Sequence, residues 1–170
     1  MNVLTVNNLR KEYKSFVLDN VSFSLENGKI TGFIGRNGAG KSTTLKSLFG
    51  FVHADGGKVE FFGKPFESNE AEIKRRTGFL LGEVNYYSDK KIASITKVTK
   101  TFFSSWDDAA YGKYMKLFKL DENKKPSELS AGMKVKYSLA LALSHGAELL
   151  ILDEPTSGLD PVSRDELLDI

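Results

Sequence analysis

The amino-acid sequence predicts an α/β fold: a mainly parallel sheet, an antiparallel β subdomain at the N-terminus and an inserted α-helical subdomain. Three observations predict it. Alternating apolar residues open the chain, and a glycine-rich loop separates an apolar strand from a helix. The aliphatic run Leu149–Leu152 lacks alternation, which is typical of a strand buried on both faces of a parallel sheet. A chain of 170 residues is large enough for one compact domain with a small inserted lobe.

The first part of the chain predicts antiparallel strands, followed by a strand, a loop and a helix. Residues 3–25 alternate and are rich in Val, Phe and Leu, a pattern typical of antiparallel strands. Residues 28–35 (GKITGFIG) predict a short apolar strand that ends in glycine. Residues 41–52 have helical spacing, and Gly50 is placed to end that helix.

Two further strands and a helical insertion follow. Residues 55–66 predict a turn and a strand, and residues 75–83 predict an apolar strand. Residues 88–129 are polar, aromatic and helix-compatible, which indicates a helical subdomain inserted between two parts of one sheet. We therefore divide the chain into three parts. Residues 1–87 contain the β subdomain and the first part of the core, residues 88–129 form the helical subdomain, and residues 130–170 contain the rest of the core.

A long helix and a buried strand are predicted in the last part of the chain. Residues 131–146 have strong helical character, with Ser130 placed to cap the helix and His145 in its last turn. Gly146 is placed to end it. The aliphatic strand follows, and Asp153 falls at its carboxyl end, where α/β sheets place their ligands.

Composition excludes several classes of protein. The net charge of +2 does not by itself indicate nucleic-acid binding, and the absence of cysteine excludes disulfides and thiolate zinc sites. Two histidines cannot build much of a metal site. The longest apolar stretches are far shorter than the roughly 20 residues that cross a bilayer, and the first residues lack the pattern of a secretory signal. We expect a chain that stays in the cytoplasm and does not itself span a membrane.

The segment GRNGAGKST, residues 35–43, matches the phosphate-loop pattern G-x-x-x-x-G-K-[ST] between a predicted strand and a predicted helix. Glycines let the backbone wrap around phosphates, and the helix N-terminus adds partial positive charge. A glycine-rich turn that happens to contain Lys-Ser is the alternative, and the agreement of motif, strand and helix outweighs it. We predict a P-loop NTPase core that binds ATP or GTP through Gly35, Asn37, Gly38, Ala39, Gly40, Lys41, Ser42 and Thr43.

Two adjacent acids after the aliphatic strand indicate phosphate chemistry. Successive residues at a strand end point in different directions, so Asp153 is predicted to hold Mg²⁺ through water and Glu154 to polarise the attacking water. Ser42 is predicted to give its hydroxyl to the same ion. The alternative is that the two acids only close the strand before the Pro155 turn.

The segment ELSAGMKVK is a third candidate site, one for an anion. Ser130 at a helix cap, followed by small residues, would expose backbone N–H groups at the positive end of the helix. Such a helix end can bind a second anion, separate from the one at the glycine loop. Taken alone, the segment is better explained as an ordinary helix cap.

The phosphate loop, LSAGM, LLILDEP and SGLD occur in this order, and together they resemble the nucleotide-binding domain of ATP-binding cassette (ABC) ATPases over essentially the whole chain. The resemblance implies ATP and Mg²⁺ as cofactors and a head-to-tail dimer, in which Ser130 and Gly132 face the γ-phosphate held by the partner. It also implies that Tyr13 stacks on adenine, that Glu154 is the catalytic general base and that Asp160 contacts the partner. From the residues alone, Tyr13 is only a strand-end tyrosine and Asp160 an ordinary helix start.

Two segments depart from the family pattern. Ala131 and Met133 stand where the family usually has Gly and Gln, so the backbone donors remain and one side-chain amide is lost. The family also has a Gln after an apolar strand, where it contacts Mg²⁺ and the attacking water. Strict alignment places Gly82 at this position, and Glu83 would replace the Gln as a metal ligand if the loop shifts by one residue.

The family's histidine that contacts the γ-phosphate is the third departure. It lies one strand beyond the SGLD helix, and neither His53 nor His145 can take its role by position. The helix that opens at Pro161 has no stop signal before Ile170. We therefore expect a fragment of a longer protein that binds nucleotide poorly and hydrolyses it more slowly than its parent.

The resemblance favours the ATP-hydrolysing subunit of an ABC transporter, as a homodimer or as a heterodimer with another ABC ATPase subunit. Its partner would be an integral membrane permease, which would hold it at the inner face of the cell membrane, with no direct nucleic-acid contact. The aromatics of residues 102–106 (FFSSW) either dock a helix of that permease or, as helical spacing favours, pack into the helical subdomain.

Two other functions remain open. A soluble ABC ATPase that acts on ribosomes or DNA is disfavoured, because only one cassette is present and only a short helical lobe separates Ser42 from Ser130. A nucleotide-binding regulator without turnover is suggested by the altered signature and the missing histidine. The transported substrate and the direction of transport are not encoded in such a chain.

Overall fold

The computed structural model describes residues 1–80, 87–157, 159–161 and 164–165. The chain divides into two compact units, Met1–Lys74 and Arg75–Ile170. Antiparallel strands dominate the first unit, and a parallel strand pair with helices makes up the second. This architecture confirms the predicted α/β class, while the finer three-part division of the chain stays a prediction.

The first unit is built on a four-stranded antiparallel sheet, as the alternating N-terminal residues predict. Its strands are β1 (Asn2–Tyr13), β2 (Phe16–Glu26), β3 (Gly56–Phe61) and β4 (Lys64–Pro65), in the order β2-β1-β3-β4. Pairing of β1 with β2 continues to the very end of the hairpin, where Tyr13 lies opposite Phe16. The sheet therefore presents the Tyr13 end of β1 on a two-residue turn.

Two helices complete the first unit. Helix α1 (Lys41–Leu48) begins directly after the glycine loop, and α2 (Phe66–Arg76) follows β4. Gly50 has a φ of +70° just beyond α1, which confirms its predicted role as the stop. The core contains an aromatic cluster in which the Phe49 ring makes edge contacts with those of Phe61 at 5.4 Å and Phe66 at 6.2 Å.

The predicted strand over residues 28–35 is wrong in this structure. Residues 29–36 have no regular secondary structure, and Ile30 and Ile34 are exposed. An apolar run becomes a strand only when a neighbouring strand accepts and donates its backbone hydrogen bonds. No such ladder joins the segment to a strand in the described ranges.

The second unit contains the predicted parallel pair, β5 (Thr77–Leu80) and β6 (Leu149–Leu152), in register from Thr77↔Leu149 to Leu80↔Leu152. The expectation that β6 is buried on both faces is only half correct. Ile151 is 7% exposed, whereas Leu150 and Leu152 are each 36% exposed. Successive residues of a strand point to opposite faces, so the face that carries Leu150 and Leu152 is only partly covered by the described residues.

Helices fill the predicted insertion, in agreement with its composition. Helix α3 (Ile92–Thr99) and α4 (Asp108–Leu117) lie there, with 3-10 turns over Lys100–Phe102 and Pro126–Glu128. The Asp107 side chain caps α4 by accepting two backbone N–H bonds, at 2.8 and 3.0 Å. No helix in the ranges that the structure describes is long and apolar enough to cross a membrane.

Helix α5 (Ala131–Ser144) packs directly on β5. A Cβ added to Gly78 would come 2.8 Å from the Cβ of Ala142, so only glycine permits this close approach. The buried hydroxyl of Thr96 lies 2.9 Å from that of Tyr111 and 2.8 Å from that of Tyr137. These bonds join α3, α4 and α5, and the burial raises the pKa of the Tyr111 phenol.

The aromatics of the segment FFSSW divide between core and surface. Phe103 stacks on His145 with the ring centroids 4.1 Å apart, and Trp106 packs against the core of the helical part. Phe102 is exposed. The predicted packing against the core of the helical part therefore holds for Trp106 and is wrong for Phe102, while Phe103 is half-buried against His145.

His145 makes the stability of the second unit sensitive to acid. Its side chain is buried, and its Nδ1 has no hydrogen-bond partner among the described residues. Burial lowers the pKa of this imidazole, because the charged form loses its hydration. The unfolded chain takes up a proton as the pH falls below about 6.5, while the folded chain resists it, so acid favours unfolding.

We expect the melting temperature to fall between pH 7.5 and pH 5.5, and the His145→Leu variant to lose part of that fall. Thermal unfolding followed by circular dichroism at several pH values measures both. The exposed imidazole of His53 supplies the control, because His53→Leu should leave the pH dependence as it is. An unchanged pH dependence in His145→Leu would show that His145 does not cause the sensitivity.

Candidate functional site

The glycine loop contains two backbone conformations that favour glycine. Gly38 and Gly40 have φ values of +79° and +94°, a region that side chains with a Cβ rarely adopt. The Ala39 N–H donates to the Arg36 carbonyl at 3.1 Å, and the Thr44 N–H donates to the Gly40 carbonyl at 2.8 Å. The loop therefore turns tightly and passes straight into α1.

Gly40 is required for a second reason, its close approach to β2. A Cβ at this position would lie 2.8 Å from Cζ of Phe16 and 2.9 Å from Cδ1 of Leu18. Contacts this short do not occur for real Cβ atoms, so with a side chain here either the loop or the Phe16 and Leu18 side chains would have to shift. The base of the loop is thus held against the β1–β2 hairpin.

Lys41 folds back over the loop. Its Nζ donates to the carbonyl of Gly35 at 2.9 Å and to that of Arg36 at 3.2 Å. The N-terminus of α1 has no side-chain cap and no acid in its first turn, residues 41–44, all of which are described. Positive charge and uncapped amides meet at one point, where an anion can replace the carbonyls as the partner of the ammonium group.

The other predicted loop residues lie on the same surface of the first unit. Asn37 and Ala39 stand in the exposed turn, and Ser42 is exposed at the first turn of α1. Thr43 is half-buried one residue later. The structure thus gathers every predicted phosphate-loop residue into one short segment.

Tyr13 is connected to this loop through Phe16. The Tyr13 ring is 42% exposed at the end of β1, and its centroid lies 6.5 Å from that of Phe16. Phe16 is also the side chain that touches the Gly40 position. Sequence reasoning missed Phe16, although the hairpin spacing Tyr13-x-x-Phe16 signals that the two rings lie side by side.

The acidic pair follows β6 in the second unit. The Asp153 N–H donates to the Leu80 carbonyl at 2.8 Å, which extends the parallel ladder by one residue. Asp153 is buried and Glu154 is exposed. Glu154 has a φ of +47°, unusual for a side chain larger than glycine, and its carbonyl accepts the Ser157 N–H at 2.9 Å.

The predicted dimer residues also lie in the second unit. Ser130 is exposed and caps α5 by accepting the Met133 N–H at 3.2 Å, as the sequence predicts. Gly132 is buried, so its surface is less available than that of Ser130. Asp160 is exposed, and its carbonyl accepts the Arg164 N–H at 3.0 Å.

The residues predicted to hold Mg²⁺ supply the oxygen atoms that this ion prefers. Ser42 offers an exposed hydroxyl and Asp153 a carboxylate, while Gly82 and Glu83 lie outside the described residues. The described part of the chain has no cluster of three His, Cys, Asp or Glu side chains that could enclose a metal. A hydroxyl, one carboxylate and the phosphates of a nucleotide are a donor set that fits Mg²⁺.

The chain is similar to known proteins over most of its length. The family model described as ABC transporter matches residues 18–157. The chain is 34% identical over 168 residues to the bacitracin transport ATP-binding protein BcrA of Bacillus licheniformis, covering 97% of this chain and 55% of that protein. It is 37% identical over 163 residues to Nod factor export ATP-binding protein I of Burkholderia orbicola, covering 92% and 54%. The chain thus spans about half the length of these two relatives.

A solved ATP-binding subunit of an ABC transporter is also similar in fold. It superposes with a TM-score of 0.85 at 26% identity, covering 98% of this chain and 72% of that chain. The agreement covers both the antiparallel sheet and the helical part. Sequence and structure therefore place the phosphate loop and the acidic pair in one family, whose compared members are named as ATP-binding proteins. The chain belongs to the ABC transporter family.

Proposed function

We propose that this chain is the ATP-binding and ATP-hydrolysing subunit of an ABC transporter, which acts as a head-to-tail dimer and powers a separate membrane subunit. The observation that carries the proposal is the phosphate loop. The Lys41 ammonium group and the uncapped N-terminus of α1 lie at the same end of the loop. The ammonium group donates its hydrogen bonds to carbonyls of the loop itself. An ATP triphosphate supplies the negative charge that this arrangement lacks.

Each predicted residue takes one part in binding ATP. Tyr13 stacks on adenine, the backbone N–H groups of residues 35–43 surround the phosphates, and Lys41 moves from the loop carbonyls to the phosphate oxygens. Ser42 and Asp153, with Glu83, would hold Mg²⁺, which neutralises phosphate charge when it is bound.

Glu154 acts as the general base. Its exposed carboxylate accepts a proton from the attacking water as the water oxygen bonds to the γ-phosphorus. The bond from that phosphorus to the β-phosphate oxygen then breaks, which releases ADP and inorganic phosphate. The exposure of Glu154 beside the buried Asp153 supports this role, because a general base must reach water.

The second nucleotide contact comes from a partner subunit, either a second copy or another ABC ATPase. Ser130 and the start of α5 face the γ-phosphate bound by the partner, with Gly132 beside it and Asp160 at the contact between subunits. The exposed Ser130 hydroxyl and the absence of acids from the described first turn of α5 support this role. The Ser130 oxygen accepts the Met133 N–H, and the hydroxyl hydrogen is left to donate to a phosphate oxygen.

The membrane subunit distinguishes transport from the alternatives. The relatives are named for bacitracin transport and Nod factor export, which supports a transport role at the cytoplasmic face of a membrane. The test is purification of the tagged chain from mildly solubilised membranes of its own cells. We expect one integral membrane protein in stoichiometric amount, whose reconstitution with the chain raises ATP hydrolysis. Sedimentation with ribosomes, and no membrane protein, would contradict the proposal.

A further inference from the structure

Asp55 binds the end of β1 through three hydrogen bonds, although it lies more than forty residues away along the chain. Its Oδ2 accepts the backbone N–H of Glu12 at 2.7 Å, and its Oδ1 accepts Nζ of Lys11 at 3.0 Å. Its own N–H donates to the Arg10 carbonyl at 2.8 Å. Asp55 is thus hydrogen-bonded to the three residues that immediately precede Tyr13.

The hydrogen bond from Glu12 to Asp55 replaces a bond that a neighbouring strand would otherwise make to the end of β1. The β1–β3 ladder ends where Arg10 lies opposite Gly56, so beyond that point β3 offers no carbonyl to the N–H of Glu12. The Asp55 carboxylate accepts that N–H instead. Without it, the tip of the hairpin would be held on one edge only, through the pairing of Tyr13 with Phe16.

Lys11 connects Asp55 to the Tyr13 ring. Two residues apart on one strand, the Lys11 and Tyr13 side chains lie on the same side. Nζ of Lys11 lies over the Tyr13 ring, 5.6 Å from its centroid, and the same ammonium is bound to Asp55. The Lys11 ammonium over one face of the Tyr13 ring and the Phe16 ring beside it hold the Tyr13 ring in a defined orientation. The Tyr13 side chain remains partly exposed, so a base can stack on it.

The charge of Asp55 supports this arrangement. The Glu12 N–H and then the Lys11 ammonium lower the pKa of the Asp55 carboxyl, so it is ionised at neutral pH. An ionised carboxylate accepts both hydrogen bonds at once. Asp55 is therefore able to hold the backbone and the ammonium in the same state.

We propose that Asp55 is a positioning residue for adenine, one that holds the end of β1 so that Tyr13 can stack on the base. The inference rests on the proposed function, since it needs ATP at the glycine loop and its base at Tyr13. Asp55 itself touches no part of the nucleotide. Its effect should therefore reach only the base, and the phosphates should bind as before.

The test compares two ligands, ATP and inorganic triphosphate, which lacks the base. Dissociation constants are measured by calorimetry for the wild-type chain, Asp55→Ala, Tyr13→Ala and the double variant. Because stacking of a base on an aromatic ring is worth about tenfold or more in affinity, we expect Tyr13→Ala to weaken ATP binding by about tenfold. We expect Asp55→Ala to weaken it by about threefold to tenfold, as part of the same contribution, with no further loss in the double variant.

Two further variants make the comparison specific. Asp55→Asn keeps an acceptor for the Glu12 N–H and should have an intermediate effect; it also carries the test if Asp55→Ala does not fold. Asp19→Asn removes another acid of the same sheet, whose Oδ1 lies 3.5 Å from Nε of Arg10. It should leave both dissociation constants unchanged.

Triphosphate affinity separates the outcomes. A loss confined to ATP, and absent once Tyr13 is alanine, supports the positioning role. An unchanged ATP affinity in Asp55→Ala, or equal losses for ATP and triphosphate, would overturn it while leaving the proposed function in place. A wild-type chain that binds neither ligand would contradict the proposed function, and the positioning role with it.

Discussion

Replacing Glu154 by Gln is expected to lower the rate of ATP hydrolysis by about a hundredfold or more, because a positioned general base contributes roughly 10²–10⁴ in rate. Glutamine has nearly the same shape as glutamate and cannot accept the proton of the attacking water. ATP binding should be retained, since Glu154 lies outside the glycine loop. Single-turnover hydrolysis of labelled ATP, with the protein in excess, measures the rate even when it is slow.

The matched control is Glu67→Gln, which makes the same chemical change at an exposed position in the first turn of α2. Its rate should equal that of the wild-type chain. Equal rates for Glu154→Gln and the wild-type chain would remove Glu154 from the mechanism. No hydrolysis in any of the three chains would favour a nucleotide-binding regulator in place of an ATPase.

Replacing Lys41 by Ala should weaken ATP binding by about tenfold to a hundredfold, since hydrogen bonds to a charged group are worth about 1.5–3 kcal/mol. The loss follows from geometry: the Lys41 ammonium is the charge that closes over the loop, 2.9 Å from the Gly35 carbonyl. Fluorescence titration with a labelled ATP analogue measures the dissociation constant.

Lys46→Ala supplies the control for this change. Lys46 lies in the last turn of the same helix and is exposed there. The Lys46→Ala substitution removes the same charge from the end of α1 that does not face the loop, so ATP affinity should be nearly unchanged. Equal losses in the two variants would mean that the lysines act only through the overall charge of the protein, and the phosphate-loop role of Lys41 would be wrong.

Local patterns predicted the parts of the fold that depend on near neighbours in the chain. The β1–β2 hairpin follows from alternation, and α5 follows from the Ser130 cap and the Gly146 stop, because caps and periodicity act within a few residues. The phosphate loop was found for the same reason. Two of its glycines, Gly38 and Gly40, have positive φ values that only a few residue types tolerate.

Features that depend on distant partners were missed or wrongly predicted. Residues 28–35 have the composition of a strand, yet strand formation is decided by a neighbour that composition does not name. The close contact between Phe16 and the Gly40 position depends on how a hairpin and a loop fold together. Asp55 is an ordinary turn residue in sequence, and only the folded sheet brings its carboxylate to the end of β1.

The most direct measurement of the central claim, that ATP binds at the glycine loop, is a two-dimensional amide NMR spectrum of the chain with and without ATP and Mg²⁺. We predict that the largest shifts fall on the backbone amides of residues 35–43, with a smaller set at Tyr13 from the stacked base. Weak binding does not prevent the measurement, because the shifts are followed through a titration. Shifts that spare residues 35–43, or no shifts at millimolar ATP, would contradict the account.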